Sequence, residues 1–154
     1  MSGILGVGSK SGIINSTVIP DGYEEGSWSP YITTTGTDYT TTGRGQDGSY
    51  VKIGKMITVT GNPSINTPSG GSGNLIITGL PFPASYYNGE TTISFGRVTL
   101  GQSGAENYLT QLEPGESKIN FFYSVSQAGV NAMPHTVMHN ATPYVAFTMT
   151  YFIE

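Results

Sequence analysis

Gly48-Ser49-Tyr50-Val51-Lys52-Ile53-Gly54-Lys55-Met56-Ile57-Thr58-Val59 is the stretch that decides the fold. Tyr50, Ile53, Ile57 and Val59 supply apolar side chains on either side of Gly54-Lys55, and Gly54 can take the positive φ that a tight turn demands. Two strands joined by so short a turn run antiparallel. The hairpin is expected over residues 48–63.

Working outward, the chain reads as short strands divided by turns. Residues 27–34 form one expected strand, with Pro30 marking an edge position, and 39–42 a second short piece. Residues 75–79 follow, closed by Leu80-Pro81-Phe82-Pro83. Asn88-Gly89 is a type I′ hairpin signal ahead of a strand at 91–100, with Ile93, Phe95 and Arg97 on one face. Glu113-Pro114-Gly115-Glu116 joins strands at 108–112 and 118–125. Over 143–153, Val145, Phe147, Met149, Tyr151 and Ile153 alternate with Ala146, Thr148, Thr150 and Phe152. Helical periodicity is nearly absent. The fold class is therefore all-β: an antiparallel two-sheet sandwich, jelly-roll-like, over residues 21–154.

Residues 1–20 differ from the rest. Ile4, Leu5, Val7, Ile13, Ile14, Val18 and Ile19 lie among glycines and serines with Lys10 as the one charge. Glycines at 3, 6, 8 and 12 disfavour a helix. The segment is too apolar for a solvated linker and too glycine-rich to fold alone, so it is expected to be an extended N-terminal arm that binds a partner; the alternative is an edge strand of the domain.

Composition narrows the function. Of 154 residues 10% are charged and 36% hydrophobic, which is enough for a core with an unusually neutral surface, as in proteins that pack against copies or partners. The six basic residues are scattered, so no nucleic-acid stripe forms. Cysteine is absent, ruling out disulfides and thiolate metal sites. No signal peptide starts the chain, and no apolar run approaches a membrane span, so a soluble protein without a membrane partner is expected.

Catalytic constellations are missing. Gly3 to Ser11 imitates a phosphate loop, but Ser9 separates Gly8 from Lys10 and no strand–helix context surrounds it. His135 and His139 have helical metal-pair spacing, yet Pro134 and Pro143 flank them in a loop-like region, and no cluster of carboxylates lies nearby in sequence to complete a site. Glu24-Glu25 and Glu113 with Glu116 read as solvated turn charges rather than the paired acids of glycoside hydrolysis. Asn15-Ser16-Thr17 and Asn140-Ala141-Thr142 match glycosylation acceptors. No catalytic residue, metal or cofactor is expected.

One longer pattern goes beyond composition: Glu25-Gly26-Ser27-Trp28-Ser29-Pro30, then the hairpin quoted above, then Gly73-Asn74-Leu75-Ile76-Ile77-Thr78-Gly79-Leu80-Pro81-Phe82. In this order the three blocks resemble β-sandwich modules of phage tail fibres and related virion surface proteins. The resemblance covers residues 24–83; Val51 stands where that family has Thr, and Lys55 where it has Asn. It implies a non-enzymatic, usually trimeric virion module. Trp28, Tyr50, Ile53, Leu80 and Phe82 then become fold or subunit-seam anchors. The expected function is a bacteriophage capsid decoration or cement protein: a homotrimer, assembled in the host cytoplasm, whose arm holds the major capsid protein or another virion protein. A start at its own Met and the short arm favour this over a tip on a long shaft. The alternative is a tail-fibre or receptor-binding module whose loops at 67–73 and 127–140 touch a host glycan; a free carbohydrate-binding module or lyase comes third.

Overall fold

The quoted stretch lies within the longest hairpin among the described residues. In the computed structural model, which describes residues 22–86, 93–100, 107–125, 128–138 and 142–154, β1 (Tyr23–Trp28) and β2 (Tyr31–Thr34) precede β3 (Tyr39–Thr40) and the hairpin of β4 (Gly43–Ile53) with β5 (Met56–Asn66). After these come β6 (Ser69–Gly70), β7 (Leu75–Thr78), β8 (Ile93–Thr99), β9 (Asn107–Leu112), β10 (Lys118–Val125), β11 (Ala128–Ala132), a 3₁₀ turn (His135–Met138) and β12 (Tyr144–Phe152). Among the described residues no helix is long and apolar enough to cross a membrane.

The first sheet has the order β1-β4-β5-β12-β8. In the second, β9 lines one side of β10, while β7 and β11 share its other side and β2 pairs with β7. Every pairing is antiparallel. The fold is thus the expected all-β, two-sheet antiparallel sandwich. Between the sheets lie Ile57, Val59, Ile65, Val145, Met149 and Tyr151 from the first and Ile32, Leu75, Ile77, Leu112, Ile119 and Phe121 from the second, all buried. Met133, Val137 and Met138 close one end; Leu80 and Ala84 close the other.

Several boundaries differ from expectation. Residues 27–34 are not one strand: β1 and β2 belong to different sheets, and Ser29-Pro30 is the corner between them. Pro30, which has no N–H to give a ladder, is buried at this corner rather than spent on an edge strand. The hairpin is longer than residues 48–63, because Gly43-Arg44-Gly45-Gln46-Asp47 extends β4 instead of forming a loop. Only Tyr39–Thr40 of residues 39–42 is a strand. In β8 a bulge at Gly96 shifts the alternation, so Arg97 is exposed while Val98 joins Ile93 and Phe95 against the core. β11 was unforeseen, and the Asn88-Gly89 turn lies outside the described residues. Gly54 does take φ +60° at the β4–β5 turn, the II′ arrangement with glycine first.

One inward row crosses the whole first sheet: Trp28, Gly48, Gly61, Phe147 and Phe95 stand opposite one another on successive strands. The two glycines leave a gap that the Trp28 indole fills. Its Nε1 donates to the Thr60 carbonyl at 2.9 Å, and its ring meets Phe147 edge-on at 6.1 Å. A Cβ on Gly48 would lie 2.5 Å from the indole nitrogen, and one on Gly61 2.8 Å from the Phe147 ring.

Trp28→Ala is expected to cost about 3–5 kcal/mol in urea unfolding. Gly48→Ala alone is expected to cost about 1–3 kcal/mol through overpacking. In the Trp28→Ala background the same change should become nearly neutral, because the atoms it strikes are gone. Additive losses in the double variant would show that the glycine serves something other than the indole.

Candidate functional site

The end of the sandwich beyond the start of β7 gathers the polar side chains. Arg44 reaches inward from β4 and is 12% exposed. Its guanidinium donates to the Ile32 carbonyl, to Asp38 Oδ2 at 2.9 Å and to the Tyr39 carbonyl at 3.3 Å, and lies 4.3 Å above the Tyr31 ring. Asp38 also accepts from the Tyr31 hydroxyl and the Thr33 hydroxyl, each at 2.7 Å, and from the Tyr39 N–H at 2.8 Å. Burial pushes the Asp38 carboxyl up, but these donors and the Arg44 charge outweigh it, leaving its pKa below the ordinary aspartate value. Burial pushes the Tyr39 phenol well above its usual range, and that phenol donates to the His135 carbonyl at 2.8 Å.

This hub fixes a rim of loops. The Thr35 N–H donates to the Asn74 carbonyl at 2.9 Å, the Asn74 N–H returns a bond to the Thr35 hydroxyl, and the Ser72 hydroxyl accepts from the Thr37 N–H at 2.9 Å. The His135 N–H donates to the Gly73 carbonyl at 3.0 Å. Residues 67–73 and the described part of 127–140, both read from sequence as contact loops, therefore meet here. The rim presents hydroxyls and backbone groups to solvent: Thr35, Thr37 and Ser72 are exposed. Thr67, with φ +46° in a β-branched residue, is held by the Thr42 hydroxyl at 2.7 Å.

The carboxylates singled out from sequence turn to separate partners. Glu24 accepts from the Tyr50 hydroxyl at 2.6 Å and pairs with Lys52 at 3.4 Å; the Tyr50 bond holds its pKa down. Glu25 is its neighbour on β1, so it points to the opposite face. Glu113 and Glu116 both face Lys118, at 3.2 and 3.9 Å. Among the described residues no cluster of three His, Asp or Glu side chains could hold a metal. His135 Nδ1 lies 3.2 Å from the Gly73 carbonyl, and His139 falls outside the described residues.

The proposed anchors divide. Trp28 and Leu80 are buried. Tyr50 and Phe82 pack edge-on against each other at 5.6 Å on the border of the core. Ile53, 49% exposed at the hairpin tip, does not enter the core. Ile4, Leu5, Val7, Ile13, Ile14, Val18 and Ile19 lie outside the described residues. Arg44 escaped the sequence reading because Tyr31 and Ile32 approach it only when β2 crosses to the other sheet, and Asp38 because its donors Tyr31 and Thr33 reach it around an irregular loop that carries no sequence signature.

No family model matches the chain, and no curated protein matches it in sequence. Among solved structures, the crystal structure of the Dettilon tailspike protein matches with a TM-score of 0.67 and 15% identity, over 85% of this chain and 24% of that one. The likeness is one of fold. The chain spans about a quarter of that protein's length.

Because the folded pKa of Asp38 is lowered, its contribution is complete above the unfolded value and is lost as pH falls through the folded one. The rim is therefore expected to loosen below about pH 4, read from the NMR signals of Tyr31 and Tyr39. Asp38→Asn should weaken the rim at neutral pH and abolish the acid step; an unchanged acid step in that variant would exclude Asp38 as its source.

Proposed function

We propose that the chain is a non-enzymatic structural module of a bacteriophage virion surface, placed in the tail as part of a spike or fibre, and that it works by assembling with identical copies. The observation that carries this is the agreement of two independent likenesses: the ordered sequence blocks of residues 24–83 and the tailspike fold matched over 85% of the chain. The hydroxyl-rich rim around Thr35, Ser72 and His135 is the surface we assign to a host glycan, because it offers many hydrogen-bonding groups and little charge. Immunogold labelling of virions is expected to mark the tail. Label spread over the head would overturn that placement.

A head-decoration role is the second reading, favoured by the seven aliphatic side chains of residues 1–20. In either position these residues are proposed as the attachment segment, since even partial burial at about 1.5–3 kcal/mol per full side chain gives a useful driving force. A protein beginning at Asp21 is expected to keep its strand-rich circular dichroism spectrum yet to lose co-sedimentation with particles stripped of the native protein. Undiminished binding would exclude the segment as anchor, and loss of folding would make it a strand of the domain.

A further inference from the structure

The outer face of the second sheet carries an uncharged apolar strip three strands wide. Leu109 on β9, Phe122 on β10 and Ala132 on β11 stand at one level, and Asn107, Ser124 and Val130 at the next. Leu109 is 41% and Val130 59% exposed, although both are aliphatic. A depression of about 330 Å³ lies here, lined by Leu109, Thr110, Gln111, Phe122 and Val130. Amides along the strip already have partners: Asn107 Nδ2 donates to Ser124 Oγ at 3.4 Å, and Asn120 Nδ2 to Glu113 Oε1 at 2.9 Å. Groups so paired lose less when water is removed, so the strip is cheap to dry. Charge begins beyond it. Lys118, four residues before Phe122 on the same face of β10, is held by Glu113 and Glu116 at 3.2 and 3.9 Å, and the three leave one net negative charge at that end. On the far side of β7, Asp38 is bound to Arg44 and to the Tyr31 and Thr33 hydroxyls of β2.

We propose, on the reading that the chain assembles with identical copies, that three copies join through this strip around a threefold axis parallel to β10. The width of the strip sets the number. Facing sheets lie about 10 Å apart, so sheets arranged around an axis stand about 5–6 Å from it. A triangular prism of that size has sides of roughly 17–21 Å, of which three strands about 4.8 Å apart occupy about 14 Å. β10, the middle strand, then aims Phe122 at the axis. At each corner β9 of one copy comes within about one strand spacing of β11 of the next, and Leu109 meets the neighbour's Ala132, a large side chain against a small one. Among the described residues β9 and β11 each pair with β10 alone, so the ring also gives both open edges a neighbour. Two copies stacked face to face would share only about 14 by 17 Å, far short of the roughly 800 Å² per partner of a standard interface. A closed ring offsets that shortage, because its third contact forms within an assembly already held together. The levels in contact are those of Phe122 and Ser124, where the three strands run side by side, and the charges around Lys118 lie outside them.

Leu109→Cys combined with Ala132→Cys tests the corner. The chain has no cysteine of its own, so the introduced thiols report cleanly. Within one copy the two positions flank β10 at about 10 Å, too far for a disulfide. Mild oxidation of the full chain carrying both changes is expected to give a covalent trimer on a non-reducing gel, and either change alone no link. Sedimentation equilibrium should give three times 16.3 kDa for the unaltered chain. Leu109→Arg, which puts an unpaired charge into each corner, should weaken that association by about tenfold or more while the circular dichroism spectrum stays the same. A covalent dimer alone, or an open ladder running past three, overturns the threefold ring. A three-copy mass with no link between positions 109 and 132, or one that Leu109→Arg leaves intact, overturns this strip as the seam and leaves the assembly reading standing. A monomer at every concentration overturns both.

Discussion

Everything in the first sheet is arranged around the indole of Trp28. A five-stranded sheet normally fills its inner face with one side chain per residue, yet here two neighbouring strands contribute glycine at the same level so that a ring from the edge strand can lie across them. The indole thereby ties β1 to β5 through its bond to the Thr60 carbonyl and to β12 through Phe147. It also stands one residue before the corner at which the chain leaves for the second sheet. Position of the edge strand, packing of the centre and the crossover are thus set by one side chain.

A second device does for the loops what the indole does for the sheet. Arg44 joins β2, the loop after it and β4 through three acceptors and one aromatic face. With so few charges in the chain, this partly buried ion pair is the most heavily bonded one among the described residues, and Asp38 has protein donors on both carboxylate oxygens. Such a network gives definition to loops rich in Gly, Ser and Thr, which carry little apolar surface of their own.

How much of this could be read beforehand follows from the range of each interaction. Period-2 alternation made β12 legible, and turn chemistry made the β4–β5 and β9–β10 hairpins legible, because those signals lie within a few residues. The extension of β4 through Gly43-Arg44-Gly45-Gln46-Asp47 was not legible, since those residues are held by partners on β2 and β5 rather than by their own propensity. The split at Ser29-Pro30 hid for a similar reason: proline announces an interruption but not which sheet receives the next strand. Gly96 concealed the bulge that turns Arg97 outward. Of the candidate rim, residues 67–73 were visible as a loop, whereas β11 within 127–140 was not, and the meeting of the two segments at Gly73 and His135 depends on long-range pairing.

The place of β12 has a consequence for synthesis. This strand is inserted between β5 and β8, and β5 meets it about ninety residues after its own hairpin partner. While the ribosome is still making residues 144–152, β5 and β8 present open edges and an uncovered apolar face, and a nascent chain in that state is prone to stick to its neighbours. Closure of the sheet therefore awaits β12. A product that stops before Tyr144 lacks the one strand that joins β5 to β8, and so leaves the ribosome with both edges open.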